Sequence, residues 1–338
     1  MTTSDPIEGV RLLTGDACQM LATLPDGCVD CVVTSPPYWQ TRDYGTAGQY
    51  GLEDSVDGYI QHLVAVFAEL HRVLTDTGTV WLNLADSYLC EPAGPRVNPG
   101  TLTGRPNAAT TPAGFGGKRG LPAKNLAGIP WRVALALQQQ LGYWLRSDVI
   151  WHKPNGMPES VKDRPARRHE YLFLLTKSSR YYFDLDPIRR PYRGDRTLSR
   201  RTHQTANRPN AITTPWPPPR KHAQPEAARP GHPGQSLNQG HGGHTAVHAK
   251  GANPGTVWSI PTTPSRHRHY AAFPVQIPLR CIAAGCPPGG TVCDPFSGSG
   301  TTAIAARRLG RRAIAIDINP AYHQIARARL RALPDTTS

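Results

Sequence analysis

The sequence has little that would suggest a membrane, secreted or metal-binding protein. It contains no run of apolar residues near the roughly 20 needed to cross a bilayer, and residues 1–6 lack the apolar core of a secretion signal. Its seven cysteines are odd in number, and the CxxC spacing of Cys28 and Cys31 has no second pair to complete a zinc site. We therefore expect a cytoplasmic protein with reduced cysteines, no membrane segment and no metal.

Acidic residues are also scarce relative to basic ones, and the imbalance is local. The 338 residues carry a net charge of +14, which favours a polyanionic partner. Between 185 and 250, eleven Arg and Lys residues stand against three acidic ones, so this segment supplies eight of the fourteen charges. It is rich in Pro and Gly and has six histidines without helical ligand spacing. Two interpretations remain open here, a nucleic-acid contact region and a disordered basic linker, and both attract phosphates.

One apolar run ends in an unusual turn. Residues 29–33 are short and rich in β-branched side chains, which predicts a buried parallel strand. Pro36 and Pro37 end this strand at the sheet edge where open α/β sheets bind ligands. The Ser35 hydroxyl and the Pro36 carbonyl could accept both hydrogens of a nucleobase amine, and Tyr38 could stack on the base. Taken alone, the stretch is equally compatible with a simple strand-ending turn.

A glycine-rich loop follows a second short strand near the C-terminus. Residues 292–294 precede Gly298 and Gly300, and a helix is predicted from Thr301. Seventeen residues after Gly300 the next strand ends in Asp317, a spacing that suits hydrogen bonds to ribose hydroxyls. The chain lacks Gly-Lys-Ser/Thr, which excludes a P-loop. On its own, such a loop is weak evidence for a nucleotide site.

The two stretches together carry a family resemblance. Thr34-Ser-Pro-Pro-Tyr-Trp39 followed by Asp294-Pro-Phe-Ser-Gly-Ser-Gly300 resembles the amino-group DNA methyltransferases that use S-adenosylmethionine. The catalytic tetrapeptide precedes the cofactor loop, which is similar to the permuted order called the β class. The resemblance implies an α/β fold, Rossmann-like, with a mostly parallel seven-stranded sheet and an irregular target-recognition insertion. It also implies S-adenosylmethionine as cofactor and double-stranded DNA as partner.

The resemblance also implies functions for individual residues. Catalysis falls to Ser35, Pro36, Pro37 and Tyr38. Lys153 lies in a segment similar to the family's base pocket, where we expect a phosphate or structural contact rather than an acid or base. Asp16 is implied to hold the cofactor adenine, although it could equally cap a helix over 18–24. The full set of implied cofactor contacts is Asp16, Phe273, Pro274, Asp294, Phe296, Gly298, Gly300, Thr301 and Asp317.

The chain order then predicts three regions. Residues 1–184 form the catalytic half with a mobile insertion at 91–125, residues 185–255 the target-recognition region, and residues 256–338 the cofactor-binding half. An amphipathic helix capped by Ser55 or Asp57 is predicted to include Leu74 and to end at Gly78. The seven predicted strands cover 10–14, 29–33, 79–84, 144–151, 171–176, 292–294 and 313–316.

Several functional alternatives remain. Ser before Pro-Pro-Tyr is more typical of cytosine-N4 enzymes in the family, so we favour that base over adenine N6. The sequence has no Pro-Cys dipeptide, which excludes the thiolate mechanism of cytosine-C5 enzymes. A protein-glutamine methyltransferase, usually with Asn before Pro-Pro-Tyr, and a non-catalytic DNA-binding module are more remote. We expect a monomer or homodimer, with a cognate restriction endonuclease as a candidate partner.

Overall fold

The computed structural model describes residues 7–89, 122–192, 248–262 and 273–334. Nearly all of the predicted insertion at 91–125, and most of the basic segment, lie outside these residues. The strands are β1 Val10–Thr14, β2 Val29–Thr34, β3 Leu74–Leu84, β4 Trp144–His152, β5 His169–Thr176, β6 Val257–Ser259, β7 Thr291–Asp294 and β8 Arg312–Asp317. The helices are α1 Ala17–Ala22, α2 Val56–Val73, α3 Ile129–Leu141, α4 Gln276–Gly285, α5 Thr301–Arg308 and α6 Pro320–Arg331, with a 3-10 turn at Asp186–Ile188.

The strands form one sheet in which the two ends of the chain interleave. Its order is β1-β8-β7-β2-β3-β5-β4-β6. Strand β1 pairs parallel with β8, and β2 lies between β7 and β3, parallel to both. Only the two pairs that β5 forms, with β3 and with β4, are antiparallel among the described strands. The carboxyl ends of β1, β2, β7 and β8 therefore meet at one edge, which confirms the predicted mostly parallel α/β sheet.

Helices cover both faces of this sheet. Strand β2 alternates, because Val32 packs into one core cluster while Cys31 and Val33 pack into the other. The first cluster contains side chains from α1, α2 and α3, and the second contains side chains from α4, α5 and α6. The result is a three-layer architecture with a core on each side of the sheet. The buried cysteines lie in these cores, and those within the described residues are free thiols.

The predicted strand number was wrong by one, because the sheet has eight strands. The additional strand, β6, pairs parallel with β4 from Ile150 to His152. Its central Trp258 is buried against Trp81, with ring centroids 6.1 Å apart. A three-residue strand shows no alternation that a sequence pattern could reveal, and the packing of one aromatic side chain holds it in place.

The predicted boundary between helix α2 and strand β3 was also wrong. The Ser55 hydroxyl caps α2 by accepting from the Gly58 amide at 3.0 Å, as one of the two predicted caps. The helix ends at Val73, however, and β3 begins at Leu74 instead of after Gly78. A side chain at Gly78 would lie 2.5 Å from the Leu74 Cγ atom, so this glycine permits an irregularity inside β3. The pairing register of β3 with β2 shifts at the same place.

The backbone divides into two units, residues 1–189 with 253–338, and residues 190–252. The first unit contains every helix and strand described above. In the second, Arg190 and Ala252 form an antiparallel bridge with N–O distances of 2.9 and 2.8 Å. Target recognition by 185–255 stays a prediction. Among the described residues, no helix is long and apolar enough to span a membrane, and no group of three or more His, Cys, Asp or Glu could hold a metal.

Candidate active site

A buried carboxylate joins the two loops that leave β2 and β7. The Thr34 hydroxyl donates to Asp294 Oδ1 at 2.7 Å, and the Thr302 hydroxyl donates to Asp294 Oδ2 at 2.7 Å. The Phe296 amide also donates to Oδ1, at 3.1 Å. Burial raises the pKa of Asp294 to about 6, although these hydrogen bonds act in the opposite direction. Asp294 therefore fixes the turn after β2 against the glycine loop after β7.

The pKa of Asp294 makes stability depend on pH. A carboxyl group whose pKa is about 6 when folded, against an ordinary 3.8, stabilises the fold fully only below about pH 4. This contribution, on the order of 3 kcal/mol, is lost as the pH rises through 6. We expect Asp294→Asn to lack this loss in urea titrations between pH 4 and pH 7. The exposed Asp57→Asn is the control and should keep the parent's pH slope; the same slope in Asp294→Asn would contradict the assignment.

The turn after β2 is held by hydroxyl groups. The Ser35 hydroxyl donates to the Tyr38 hydroxyl at 3.2 Å, which donates in turn to Glu170 Oε2 at 2.6 Å. The Tyr59 hydroxyl donates to the Pro37 carbonyl at 2.9 Å. Burial, and secondarily the nearby Glu170, raise the pKa of Tyr38 well above its usual range, so this hydroxyl stays protonated.

Glu170 has further hydrogen-bond and ion-pair partners that were not predicted from the sequence. Its Oε2 accepts from Asn83 Nδ2 at 2.8 Å, and its Oε1 is ion-paired with Lys153. The Lys153 ammonium also lies 4.5 Å from the centre of the Trp151 ring. The Glu170 side chain is 9% exposed and that of Lys153 is 22% exposed. A signal was present in the sequence: Glu170 adjoins the apolar run of β5, and Asn83 lies within the apolar run of β3. Charged and amide side chains are rarely buried without partners, so both positions indicate a polar contact.

At the glycine loop, Asp317 faces the ligand side of the sheet. It accepts from the Gly298 amide and from the Asn319 amide, each at 2.8 Å. Burial raises its pKa, and these two amides oppose the shift. A carboxylate offers about four acceptor positions. Two backbone donors therefore leave capacity for the hydroxyls of a ligand.

The two glycines of this loop differ in what they permit. Gly298 and Gly300 have φ values of 50° and 78°, in the left-handed region that favours glycine. A Cβ atom at Gly300 would lie 2.8 Å from the Ala326 Cβ, so Gly300 allows α5 to approach α6. Gly298 lines the cavity described next, whereas Gly300 does not. The structure thus assigns Gly300 to helix packing.

A cavity of about 470 Å³ lies between the two loops. Ten of the thirteen predicted site residues line it: Ser35, Pro36, Pro37, Tyr38, Phe273, Asp294, Phe296, Gly298, Thr301 and Asp317. The three that do not are Asp16, Pro274 and Gly300. One end of the cavity therefore presents the turn after β2, and the other presents the loop after β7 and the end of β8.

Asp16 supports the cavity wall from behind. It caps α1, accepting from the Gln19 amide at 3.0 Å, as the alternative interpretation predicted. Its other oxygen accepts from the Tyr50 hydroxyl at 3.0 Å. Tyr50 lines the cavity and packs edge-on against Phe296, with ring centroids 5.3 Å apart. Pro274 instead precedes α4, where its carbonyl accepts from a backbone amide three residues on.

Further aromatic residues line the cavity without having been predicted as cofactor contacts. Tyr44 packs edge-on against Tyr322 of α6, with ring centroids 6.4 Å apart. Arg42 also lines the cavity. Because Tyr322 belongs to α6, the helix after β8, the loop that contains Arg42 and Tyr44 reaches the Asp317 side of the cavity.

An interleaved α/β sheet that places a Ser-Pro-Pro-Tyr turn and a glycine loop on one cavity defines a Rossmann-like methyltransferase. The chain matches the DNA methylase family of N6 and N4 enzymes over residues 29–328. It is 39% identical to the type II methyltransferase M.Cfr9I of Citrobacter freundii, over 97% of this chain and 90% of that protein. It is 36% identical to M.SmaI of Serratia marcescens, over 96% and 91% respectively. The chain belongs to this family of S-adenosylmethionine-dependent DNA amino-methyltransferases.

Solved structures share the fold. The cytosine-N4-specific PvuII DNA methyltransferase matches with a TM-score of 0.59 and 17% identity, over 97% of this chain and 88% of that one. The Thermus thermophilus protein TTHA0409, solved in complex with S-adenosyl-L-methionine, matches with a TM-score of 0.52 and 21% identity. That match covers 95% of this chain and 94% of the other. M.Cfr9I and M.SmaI are named as type II methyltransferases, and the matching family is described as DNA methylase, so the family does not support the protein-glutamine or the non-catalytic alternative.

Proposed function

We propose that the enzyme methylates N4 of cytosine in double-stranded DNA after the base has left the helix. A stacked base cannot bring its amine to a buried cavity, so it must be extruded. The observation that carries the proposal is that Ser35 and Pro36 line the same cavity as Asp317 and Gly298. The residues that offer acceptors for an amine and the residues suited to a nucleoside thus share one cavity.

The catalytic problem is the poor nucleophilicity of the amine. Its lone pair is delocalised into the base ring while the nitrogen is planar. If Ser35 Oγ and the Pro36 carbonyl each accept a hydrogen bond from one N–H group of the amine, they favour a pyramidal nitrogen. The lone pair of such a nitrogen is free to attack. Tyr38 would stack on the base, and its hydroxyl, bonded to Ser35 and Glu170, fixes the ring. Most of the acceleration then comes from positioning.

The other end of the cavity fits the cofactor. Asp317 retains acceptor capacity for ribose hydroxyls, and Phe296 and Phe273 offer apolar surface. Thr301 begins α5, and Gly298 lies in the loop before it. When bound, S-adenosylmethionine supplies a methyl group on a positively charged sulfur. These residues would hold it at their end of the cavity.

The choice of cytosine rests on two residues. Ser35 is the first member of the tetrapeptide, where the family's cytosine-N4 enzymes typically have serine. Lys153 adds a donor to the cavity wall, held by Glu170 and Trp151. Cytosine carries O2 on the same edge as its amine, two ring positions away, where adenine has only a C–H group. A fixed ammonium there would favour cytosine, which leaves adenine N6 as the second candidate.

The base assignment has a direct test. DNA from cells that express the enzyme would be digested to nucleosides and analysed by mass spectrometry. We expect N4-methylcytosine. Finding only N6-methyladenine would overturn the base and the role of Lys153, while the shared amine chemistry at Ser35 would stand.

We further propose that residues 185–255 recognise the target sequence, because the excess of eight positive charges lies outside every catalytic motif. Replacing 195–250 by a short Gly/Ser linker is expected to preserve cofactor binding and to abolish site-specific methylation. The salt dependence of DNA binding should also weaken, by about 0.9 in log–log slope for each phosphate that is no longer neutralised. Methylation of the same sites at the same salt would make the segment a linker. The cytoplasmic location, the monomer or homodimer and the cognate endonuclease stay predictions.

A further inference from the structure

The loop between β4 and β5, residues 153–168, is fixed at the rim of the cavity. The Lys153 amide donates to the Arg168 carbonyl at 2.8 Å, which closes the base of the loop. Asn155 exchanges two hydrogen bonds with the backbone of Thr262, at 2.9 and 2.8 Å. Lys153 and Thr262 both line the cavity. The loop therefore begins at the wall of the base pocket.

The returning half of this loop is braced as well. Arg164 is ion-paired with Glu159 at 2.6 Å, and its guanidinium lies 3.8 Å from the centre of the Tyr88 ring. The Arg167 guanidinium lies 5.2 Å from the same ring. Because the loop is held at Asn155 and again at Arg164, the residues between these two positions have a defined place at the cavity rim.

Between the anchors stands Met157, with 85% of its surface exposed. It is the most exposed large apolar residue among the described parts of the chain. A single exposed apolar residue is ordinary, but the neighbours of this one are not. Lys162 and Arg168 are exposed, and neither forms an ion pair within the described residues. The Arg168 side chain lies 3.9 Å from the position of a Cβ at Gly156, beside Met157.

We propose that Met157 enters the DNA duplex and fills the space left by the extruded base, while Arg168 and Lys162 contact the flanking phosphates. The proposal rests on the proposed function in that the target base leaves the stack. Proteins that unstack DNA commonly insert apolar side chains between base steps. Methionine suits an irregular gap because its chain is flexible and its sulfur polarisable. An apolar tip with cations beside it matches the chemistry of a base step between two phosphates.

The experiment compares methylation rates on two synthetic duplexes. Both carry the recognition site, which sequencing of DNA modified in cells would identify. One duplex is fully paired, and the other has an abasic position opposite the target base, so that extrusion costs less. The variants are Met157→Ala, Met157→Leu and the control Trp144→Ala. Trp144 is 50% exposed at the start of β4, at the opposite end of that strand from the cavity. A fluorescent base analogue at the target position reports extrusion independently of methyl transfer.

On the paired duplex we expect Met157→Ala to be slower than the parent by about tenfold or more, because the cost of unpairing and unstacking the base is then not offset. On the abasic duplex its rate should lie within about twofold of the parent's. Met157→Leu and Trp144→Ala should behave as the parent on both, and only Met157→Ala should reduce the fluorescence change. A parent-like rate on the paired duplex, or an equal loss on both, would overturn the proposal. Methylation of adenine instead of cytosine would refute the base assignment and leave this comparison unchanged.

Discussion

Replacing Ser35 by alanine is expected to lower kcat by about 100-fold or more, and to leave the affinity for S-adenosylmethionine unchanged. The lost hydroxyl would accept from the amine most strongly as the nitrogen becomes pyramidal, so its loss raises the barrier more than it weakens ground-state binding. Single-turnover methylation measures the rate, and calorimetry measures cofactor binding. The variant should fold, because within the described parts of the chain the Ser35 hydroxyl bonds only the Tyr38 hydroxyl, which keeps Glu170 as its acceptor.

Two further variants test whether Ser35 acts on the amine and not on the cofactor. Ser35→Asn restores an acceptor at the same position and should recover part of the rate. Asp317→Ala should do the reverse of Ser35→Ala, weakening cofactor binding by roughly 5–150-fold, as expected for a lost hydrogen bond of about 1–3 kcal/mol. If Ser35→Asn were as slow as Ser35→Ala, or if Ser35→Ala lost cofactor affinity, the amine-acceptor role of Ser35 would be wrong.

The second large effect is expected at the buried ion pair. Lys153→Met leaves the carboxylate of Glu170 buried without its cation, which should lower the free energy of unfolding by about 3–5 kcal/mol. The double variant Lys153→Met with Glu170→Gln has no uncompensated charge and should recover most of that stability. It should not recover activity, because the donor proposed for the base is still missing. We expect kcat/KM for DNA to stay roughly 10–100-fold below the parent's, the value of a charged hydrogen bond.

Urea unfolding and steady-state kinetics on the same preparations separate these effects. Lys124→Met is the matched control, because its ion pair with Asp163 is largely exposed, and it should change stability by only about 0–1 kcal/mol. A double variant as unstable as Lys153→Met would show that the uncompensated charge is not the cause. A fully active double variant would remove Lys153 from the recognition of the base.

The sequence was most informative where a local pattern determines a local structure. The proline pair after β2 and the glycines after β7 predicted both chain exits, and parallel pairing then brought Ser35 and Asp317 to one cavity. The Ser55 cap of α2 was likewise predicted from a single residue. In each case the physical cause, a missing donor, a permitted φ or a capping oxygen, acts within a few residues of the position that shows it.

The remainder depends on contacts that only the folded chain creates. Glu170 meets Tyr38 across 132 residues of sequence and Asn83 across 87, so no spacing rule could pair them. Gly300 was predicted as a ligand contact from its place in the glycine loop, whereas a Cβ atom at this position would meet Ala326 on another helix. Strand β6 is held in place because Trp258 packs against Trp81. The three residues of β6 do not by themselves indicate this contact.

The interleaved sheet has a consequence for biosynthesis. Strand β2 is synthesised early, yet its neighbour β7 lies about 260 residues further on, the separation of Thr34 from Asp294. At about 5–20 residues per second, translation leaves one edge of β2 without this partner for roughly 13–52 seconds. The active site cannot assemble before the last strands emerge from the ribosome, and nascent chains expose pairing edges until then. Slower synthesis at low temperature prolongs this interval, so soluble yield should depend on chaperones that shield the early strands.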